Sequence, residues 1–196
     1  MLPKTKGKEG FTLVELAIVL VIIGLLLGAI LKGQEMIKNA KMKRIKSDID
    51  GIVAATYSYQ DRYNYLPGDD PNDRSARPPA GLNATGCTGG NGDGHIYVVA
   101  GYDERICFWQ ELAGAGFISG DPTNHTNPQK ISPYGTPYNV NYNKTLGKNY
   151  IYVNLPNEVI KYLDEKYDDG VYNTGDIRSN HKYTYTGMAT MYWYAF

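Results

Sequence analysis

One carboxylate in this sequence of 196 residues stands in an apolar run. Glu15 is the only ionisable side chain between residues 11 and 31, and its neighbours are mostly Leu, Ile, Val and Ala. A helix over this stretch would span roughly the 30 Å hydrocarbon core of a bilayer. A carboxylate there costs about 2.5–3.5 kcal/mol at the bilayer centre and less near an end, so we expect Glu15 to be paired or functional.

A second group of carboxylates lies in the sequence YLDEKYDDGVYNTGDIR near the C-terminus. Its candidate oxygen ligands are Asp164, Asp168, Asp169 and Asp176. Hard oxygen ligands at loop spacing suit Ca²⁺, although the EF-hand pattern with its closing Glu is absent. Asp and Asn beside Gly are also what a turn requires. We favour the turn, with a structural calcium ion as the alternative, and expect no other cofactor.

The two cysteines, Cys87 and Cys107, do not form a C-x-x-C pair. Both follow the apolar run, in the part of the chain that we expect to be exported. An even pair in an extracytoplasmic domain is more often a disulfide than a metal or redox site. We therefore predict a disulfide between them.

Signals for catalysis or nucleic-acid binding are missing from the sequence. His95, His125 and His181 are scattered, and there is no G-x-S-x-G, H-E-x-x-H or P-loop pattern. The 20 basic and 20 acidic side chains balance, which gives no field for a nucleic-acid partner. We predict that the protein is not an enzyme and does not bind nucleic acid.

After residue 32 the apolar positions follow steps of three and four, at Met42, Ile45, Ile49 and Ile52. This spacing predicts that the helix continues to about Tyr65, where Leu66-Pro67-Gly68 ends it. Within the first half of the helix, Gly24 and Gly28 form a G-x-x-x-G face that would let membrane helices approach closely.

The remainder predicts an α+β head in which antiparallel strands cover the second half of the long helix. We expect a strand near residues 95–100 and a helix near residues 103–113 with Trp109 in the core. Further strands are expected in TPYNVNYN and KNYIYVNLP, then a helix in NEVIKYLDEKY. Final strands are expected in HKYTYTGM and MATMYWYAF.

The segment around Glu15 resembles the processing site of type IV prepilins and pseudopilins. A leader with Lys4, Lys6 and Lys8 ends at Gly10, Phe11 follows, and Glu15 is the fifth residue of the apolar helix. The motifs LPGDD, GNGDGHI and CFWQELAGAGFISG resemble a subset of prepilin-like proteins. More basic residues follow the apolar run than precede it, which opposes the usual membrane orientation, but the resemblance outweighs that count.

The resemblance implies that a prepilin peptidase cuts between Gly10 and Phe11 on the cytoplasmic side and methylates the new amine of Phe11. It gives a leader at residues 1–10, a membrane and filament-core helix at 11–31, its amphipathic continuation at 32–65 and an extracytoplasmic head at 66–196. Glu15 of one subunit would pair with the Phe11 ammonium of another.

The implied partners are other pilin subunits, the peptidase, an inner-membrane assembly platform and, before assembly, the membrane. The implied protein is a structural subunit of a type IV pilus-like filament. A pseudopilin of a type II secretion system is the alternative, and a single-pass binding protein that never polymerises is a third possibility. The final location would be an extracellular pilus or a periplasmic pseudopilus.

Overall fold

The computed structural model describes residues 11–71, 90–99, 102–120 and 130–196. These residues form a long N-terminal helix, two shorter helices and two antiparallel sheets. The predicted α+β class is therefore confirmed. Contacts divide the chain into two compact units, one ending at Ala40 and the other comprising Lys41–Phe196.

Helix α1 is Leu13–Tyr63 and contributes to both units. Within the second unit its buried face follows helical spacing, because residues three and four apart lie on one side of a helix. This face consists of Met42, Ile45, Asp48, Ile49, Ile52, Ala55, Thr56 and Tyr59. The helix ends as predicted before Pro67, and Asn64 takes a left-handed conformation with φ of 65°.

The main sheet has the strand order β3-β4-β6-β5 and is antiparallel throughout. Its strands are β3 (Asn139–Asn143), β4 (Lys148–Pro156), β5 (Ile177–Ser179) and β6 (Met188–Trp193). A small hairpin pairs β1 (Val98–Val99) with β2 (Tyr102–Asp103). The shorter helices are α2 (Glu104–Gly114) and α3 (Asn157–Tyr167).

The core of the second unit lies between α1, α2, α3 and one face of the main sheet. Strand β4 alternates between faces, with Ile151, Val153 and Leu155 fully buried. Trp109 on α2 is 1% exposed, which confirms it as a core residue. Asp48 is a buried carboxylate of α1, and it accepts a hydrogen bond from the Tyr138 hydroxyl at 3.2 Å and pairs with Lys130 at 2.8 Å.

The strand predicted over residues 181–188 is wrong. Residues 181–187 form a turn in which Tyr185 N–H donates to the carbonyl of Lys182. The Asn157 side-chain amide donates to the carbonyls of Lys182 and Tyr185, which fixes the loop. The segment alternates Tyr and Thr, but Tyr183 packs against the core from the loop, and Tyr185 is 44% exposed. The short edge strand β5, whose Ile177 is buried, pairs with β6 instead.

Candidate functional site

The most unusual surface of the described structure is the start of α1. We call residues 11–31 the apolar segment. Its large hydrophobic side chains are exposed, from 46% at Ile23 to 87% at Leu13. Among the described residues, α1 is the one helix long and apolar enough to cross a membrane. This surface needs either lipid or other protein to cover it, because water does not favour so large an apolar patch.

Glu15 and Thr12 form a capping box at the start of α1. Thr12 N–H donates to the Glu15 carboxylate at 2.8 Å, and its hydroxyl donates to the same oxygen at 2.8 Å. Glu15 N–H lies 3.3 Å from the Thr12 hydroxyl oxygen. Each residue thereby satisfies a backbone group that the helix end leaves without an intrahelical partner.

The sequence reasoning missed this role of Glu15. Its signature is present, since Thr12 and Glu15 match the pattern S/T-x-x-E directly before an apolar helix. Glu15 therefore has a local function within one chain besides the predicted pairing between subunits. The two functions make different demands, because capping needs an acceptor whereas pairing with an ammonium needs a negative charge.

Gly24 and Gly28 lie on the apolar segment, and the chain itself gives no reason for their small size. Within the part of the chain that the structure describes, a Cβ atom added at either position would meet nothing within 4 Å. An alanine could therefore occupy either position without a clash inside one chain. Their role in close helix approach stays a prediction, and Gly10 lies outside the described residues.

The predicted turn after α3 is built by the acidic residues themselves. Ligand oxygens of Asp164, Asp168 and Asp169 lie within 4.8 Å of one another. Asp168 accepts from the N–H of Ile177 at 2.6 Å, and Asp169 accepts from the Thr174 hydroxyl at 2.6 Å.

Asp164 is the buried member of this acidic group. It accepts from Gly170 N–H at 3.0 Å and from the hydroxyl of Tyr183. Burial raises the pKa of Asp164, and these two hydrogen bonds oppose the rise. Asp176 pairs instead with Lys148 at 3.0 Å. These contacts are those of a turn, and calcium binding stays a prediction.

A second acidic group, Asp69 and Glu104, organises the loop GNGDGHI. LPGDD and GNGDGHI were recognised as motifs, but no role was predicted for these two carboxylates. Asp69, from the LPGDD motif, is buried and accepts N–H bonds from Gly92 at 2.7 Å and Gly94 at 2.6 Å. Glu104 at the start of α2 is also buried and accepts from Tyr97 N–H at 3.1 Å. The alternation of Gly with Asp and Asn was the available signal, since such loops present several N–H groups to one carboxylate.

Burial dominates the electrostatics of this second group. It raises the pKa of Glu104 to about 7, against the opposing effect of the hydrogen bonds from Tyr97 and Asn91. The nearby charge of Asp69 adds to the rise. Burial likewise raises the pKa of Asp69. Through the hydrogen bonds that they accept, Asp69 and Glu104 connect LPGDD, GNGDGHI and α2.

The cysteines and histidines do not form a described site. Cys107 is buried on α2, while Cys87 lies outside the described residues, so the disulfide stays a prediction. His95 stacks on Tyr142 at 3.8 Å between ring centroids, and His181 stacks on Tyr185 at 4.3 Å. His125 lies outside the described residues.

Residues 5–31 match the family model of the prokaryotic N-terminal methylation motif. The match covers residues 5–10 of the predicted leader, the Gly10-Phe11 junction, Glu15 and the rest of the apolar segment. The chain therefore carries the prepilin-type signal of type IV pilins and pseudopilins, which confirms the recognition made from the sequence. No curated protein and no solved structure matches the chain.

Proposed function

We propose that this protein is a structural subunit of an extracytoplasmic type IV pilus-like filament. The methylation motif supports a pilin-like or pseudopilin subunit in general. The finer assignment is that the chain is inserted in the inner membrane, cut between Gly10 and Phe11, methylated, and packed through the apolar segment into a filament. In this role it performs no catalysis.

The observation that carries the proposal is the exposure of the apolar segment in a single chain. Residues as large as Leu20 and Leu25 are 69% and 71% exposed. Lipid covers them before assembly, and neighbouring copies of the same segment cover them afterwards. The open space around Gly24 and Gly28 supports the second state, because small residues let helix backbones approach closely.

A pseudopilin of a type II secretion system is the second candidate, since the same motif and the same helix would serve it. The two candidates share the peptidase, the inner-membrane assembly platform and the pairing between subunits. They differ in the location of the assembled product, on the cell surface or in the periplasm. A single-pass binding protein would need no processing at Gly10-Phe11.

The first test is the mass of the mature N-terminus after co-production with a prepilin peptidase. We expect the chain to lose residues 1–10 and to begin with N-methylated Phe11. Gly10→Val should block this processing and leave the full chain in the membrane. An unprocessed wild-type chain in the presence of active peptidase would contradict the proposal.

The second test separates the two functions of Glu15. Glu15→Gln keeps an acceptor for Thr12 N–H but removes the charge, whereas Thr12→Ala keeps the charge and removes the hydroxyl half of the capping box. If Glu15 pairs with the ammonium of Phe11 in another subunit, Glu15→Gln abolishes filaments in cells that hold the peptidase and the assembly platform.

Thr12→Ala is the matched control for the cap. It costs the helix about 0.5–2 kcal/mol and should leave filaments in place. Membrane insertion and processing are measured for both variants, and both should be retained. Normal filaments from Glu15→Gln would show that capping is the function of Glu15 and that pairing between subunits is not.

A further inference from the structure

The outer face of the main sheet is covered by tyrosine and amide side chains. Because Asn149, Ile151, Val153 and Leu155 of β4 point into the core, the alternate residues of that strand point outward. Register pairs place Asn139, Tyr152, Tyr192 and Arg178 in one row across all four strands. We call the following set the tyrosine face: Asn139, Asn141, Asn143, Tyr150, Tyr152, Asn154, Arg178, Thr190, Tyr192 and Tyr194.

The rings of the tyrosine face hold one another in place. Tyr150 is the centre, with ring centroids 5.9 Å from Tyr152, 5.5 Å from Tyr192 and 5.2 Å from Tyr194. The side-chain amide of Asn143 donates to the Tyr194 hydroxyl at 2.9 Å. Tyr150, Tyr152 and Tyr192 are half-buried, so they combine exposed ring area with fixed positions. Such preorganised aromatic groups lose little entropy when they bind a partner.

The face holds few charges, and no cluster of basic side chains lies among its described residues. Lys148 lies 3.0 Å from Asp176 at one end, and the guanidinium of Arg178 covers the Tyr194 ring at 5.1 Å from its centroid. The members of the face are otherwise aromatic, amide or hydroxyl side chains, and the outward pair Pro156 and Met188 lies beyond them at the far end of β4. A polyanion such as nucleic acid requires a basic surface, and an apolar protein partner would be matched by aliphatic residues, so neither fits this composition.

A depression of about 220 Å³ adjoins the tyrosine face at Tyr152. Its lining is Asp103, Arg105, Ile106, Asn139, Val140 and Tyr152. Arg105 donates to both oxygens of Asp103, through Nε at 2.8 Å and Nη2 at 2.7 Å. The guanidinium carries five N–H donors in all, so planar hydrogen-bonding groups stand beside an aromatic ring. The volume is below the ~300–1,000 Å³ of typical small-molecule sites and suits one small ring.

We propose that the tyrosine face and this depression bind an uncharged polysaccharide. A sugar ring presents C–H groups on its faces and hydroxyls around its edge. Tyr152 provides an apolar ring surface for the C–H groups. Asn139, Arg105 and Asp103 provide donors and acceptors for the hydroxyls. One sugar unit occupies the depression, and the following units lie along Tyr150 and Tyr192. The face belongs to a single chain, so its binding does not depend on polymerisation.

The test is binding of the purified full chain to an array of neutral glucan, mannan and galactan oligosaccharides. The protein is held in an amine-oxide detergent, because maltoside detergents themselves carry sugar. Sialylated and sulfated oligosaccharides and a DNA oligonucleotide are included as charged probes. We expect at least one neutral oligosaccharide to bind, with no charged probe bound more tightly.

Two variants and a matched control decide the outcome. Tyr152→Ala should weaken binding of the neutral probe by about tenfold or more, since central aromatic residues dominate such sites. Asn139→Ala, whose side-chain amide donates to the Pro137 carbonyl at 3.3 Å, should weaken it with less risk to the fold. The control Tyr185→Ala, an exposed tyrosine elsewhere, should bind as the wild type does.

Folding of each variant is checked by tryptophan fluorescence, to which the buried Trp109 and Trp193 on β6 both contribute. The proposal is overturned if no neutral oligosaccharide binds, if only charged probes bind, or if Tyr185→Ala loses as much binding as Asn139→Ala. Equal binding by the wild type and a folded Asn139→Ala would also overturn the proposal that the depression holds one sugar unit.

Discussion

The two parts of α1 have similar secondary structure and opposite surroundings. In the apolar segment, hydrophobic residues occur all round the helix and are exposed. From Lys41 to Tyr63, which we call the packed segment, they form a single stripe that the head buries, as at Ile45 and Ile49. A helix that is apolar on all sides needs a surrounding apolar medium, whereas an amphipathic helix needs one packed face.

This difference indicates that two separate processes cover the apolar surface of α1. The packed segment is covered during folding of one chain, because the sheet and α2 belong to the same compact unit. The apolar segment lies in the other unit, and lipid or further copies must cover it. Substitutions in the two segments should therefore affect different measurements.

The largest effect is expected from truncating the packed segment. Ile49→Ala removes a side chain that is 1% exposed and should lower the free energy of unfolding of the head by about 2–5 kcal/mol. Denaturant unfolding of the full chain in detergent, followed by the fluorescence of Trp109 and Trp193, both in the head, measures this.

The matched control for Ile49→Ala is Ile22→Ala in the apolar segment, where the side chain is 50% exposed. It should change the same free energy by less than about 0.5 kcal/mol. Equal losses of the free energy of unfolding from Ile49→Ala and Ile22→Ala would show that the stability of the head also depends on the apolar segment. That result would contradict the proposed independence of the two segments.

The predicted disulfide sharpens the comparison, because Cys87 and Cys107 both lie in the sequence of the head. Alkylation under denaturing conditions should label neither of the two cysteines before reduction and both afterwards, as read by mass. Reduction should lower the free energy of unfolding of the head by about 2–4 kcal/mol. Insertion of the apolar segment into vesicles should not change. Labelling of both cysteines without reduction would disprove the disulfide.

A smaller effect is expected from pH and concerns the buried Glu104. Burial raises its pKa from 4.5 to about 7 in the folded protein, so the folded state holds the proton more tightly than the unfolded state. Its contribution to stability is therefore greatest below pH 4.5 and declines as pH rises towards 7. The expected loss is on the order of 1–3 kcal/mol.

Glu104→Gln should flatten this part of the pH profile, measured by denaturant unfolding at steps of pH. Helicity of the apolar segment, whose one ionisable group is Glu15, should stay constant between pH 4.5 and 7. If the free energy of unfolding of the wild-type head instead rises between pH 4.5 and 7, and Glu104→Gln removes that rise, the burial argument is contradicted.

Sequence reasoning succeeded where one periodicity extended over many residues. Helix α3 and strand β4 were located closely, because their apolar residues alternate at the correct period and clear turns bound them. The strand predicted over residues 181–188 was wrong because Tyr and Thr favour strands locally, whereas the side chain of Asn157 fixes that segment as a loop. That contact is not local in sequence.

The candidate site was predictable in its identity but not in its local bonding. The prepilin-type motif was recognised from the sequence, and the match to the methylation motif confirms that recognition. Processing at Phe11 and the role of Glu15 stay predictions. The capping box was also present in the sequence, but a carboxylate in a membrane-length apolar run indicates a partner charge more strongly than a local cap, so the cap was not predicted. Glu104 is buried under the loop that precedes α2, where the N–H groups of Asn91 and Tyr97 donate to its carboxylate. The conformation of that loop has no periodic pattern in the sequence.

The central claim is that copies of the apolar segment cover one another. A photo-crosslinking residue placed at Leu25, which is 71% exposed in the single chain, tests it most directly. In cells with the prepilin peptidase and the assembly platform, we predict crosslinked dimers and larger multimers of this protein, and their loss when the peptidase is absent. If processed protein accumulates and Leu25 yields no crosslink between copies, the claim is contradicted.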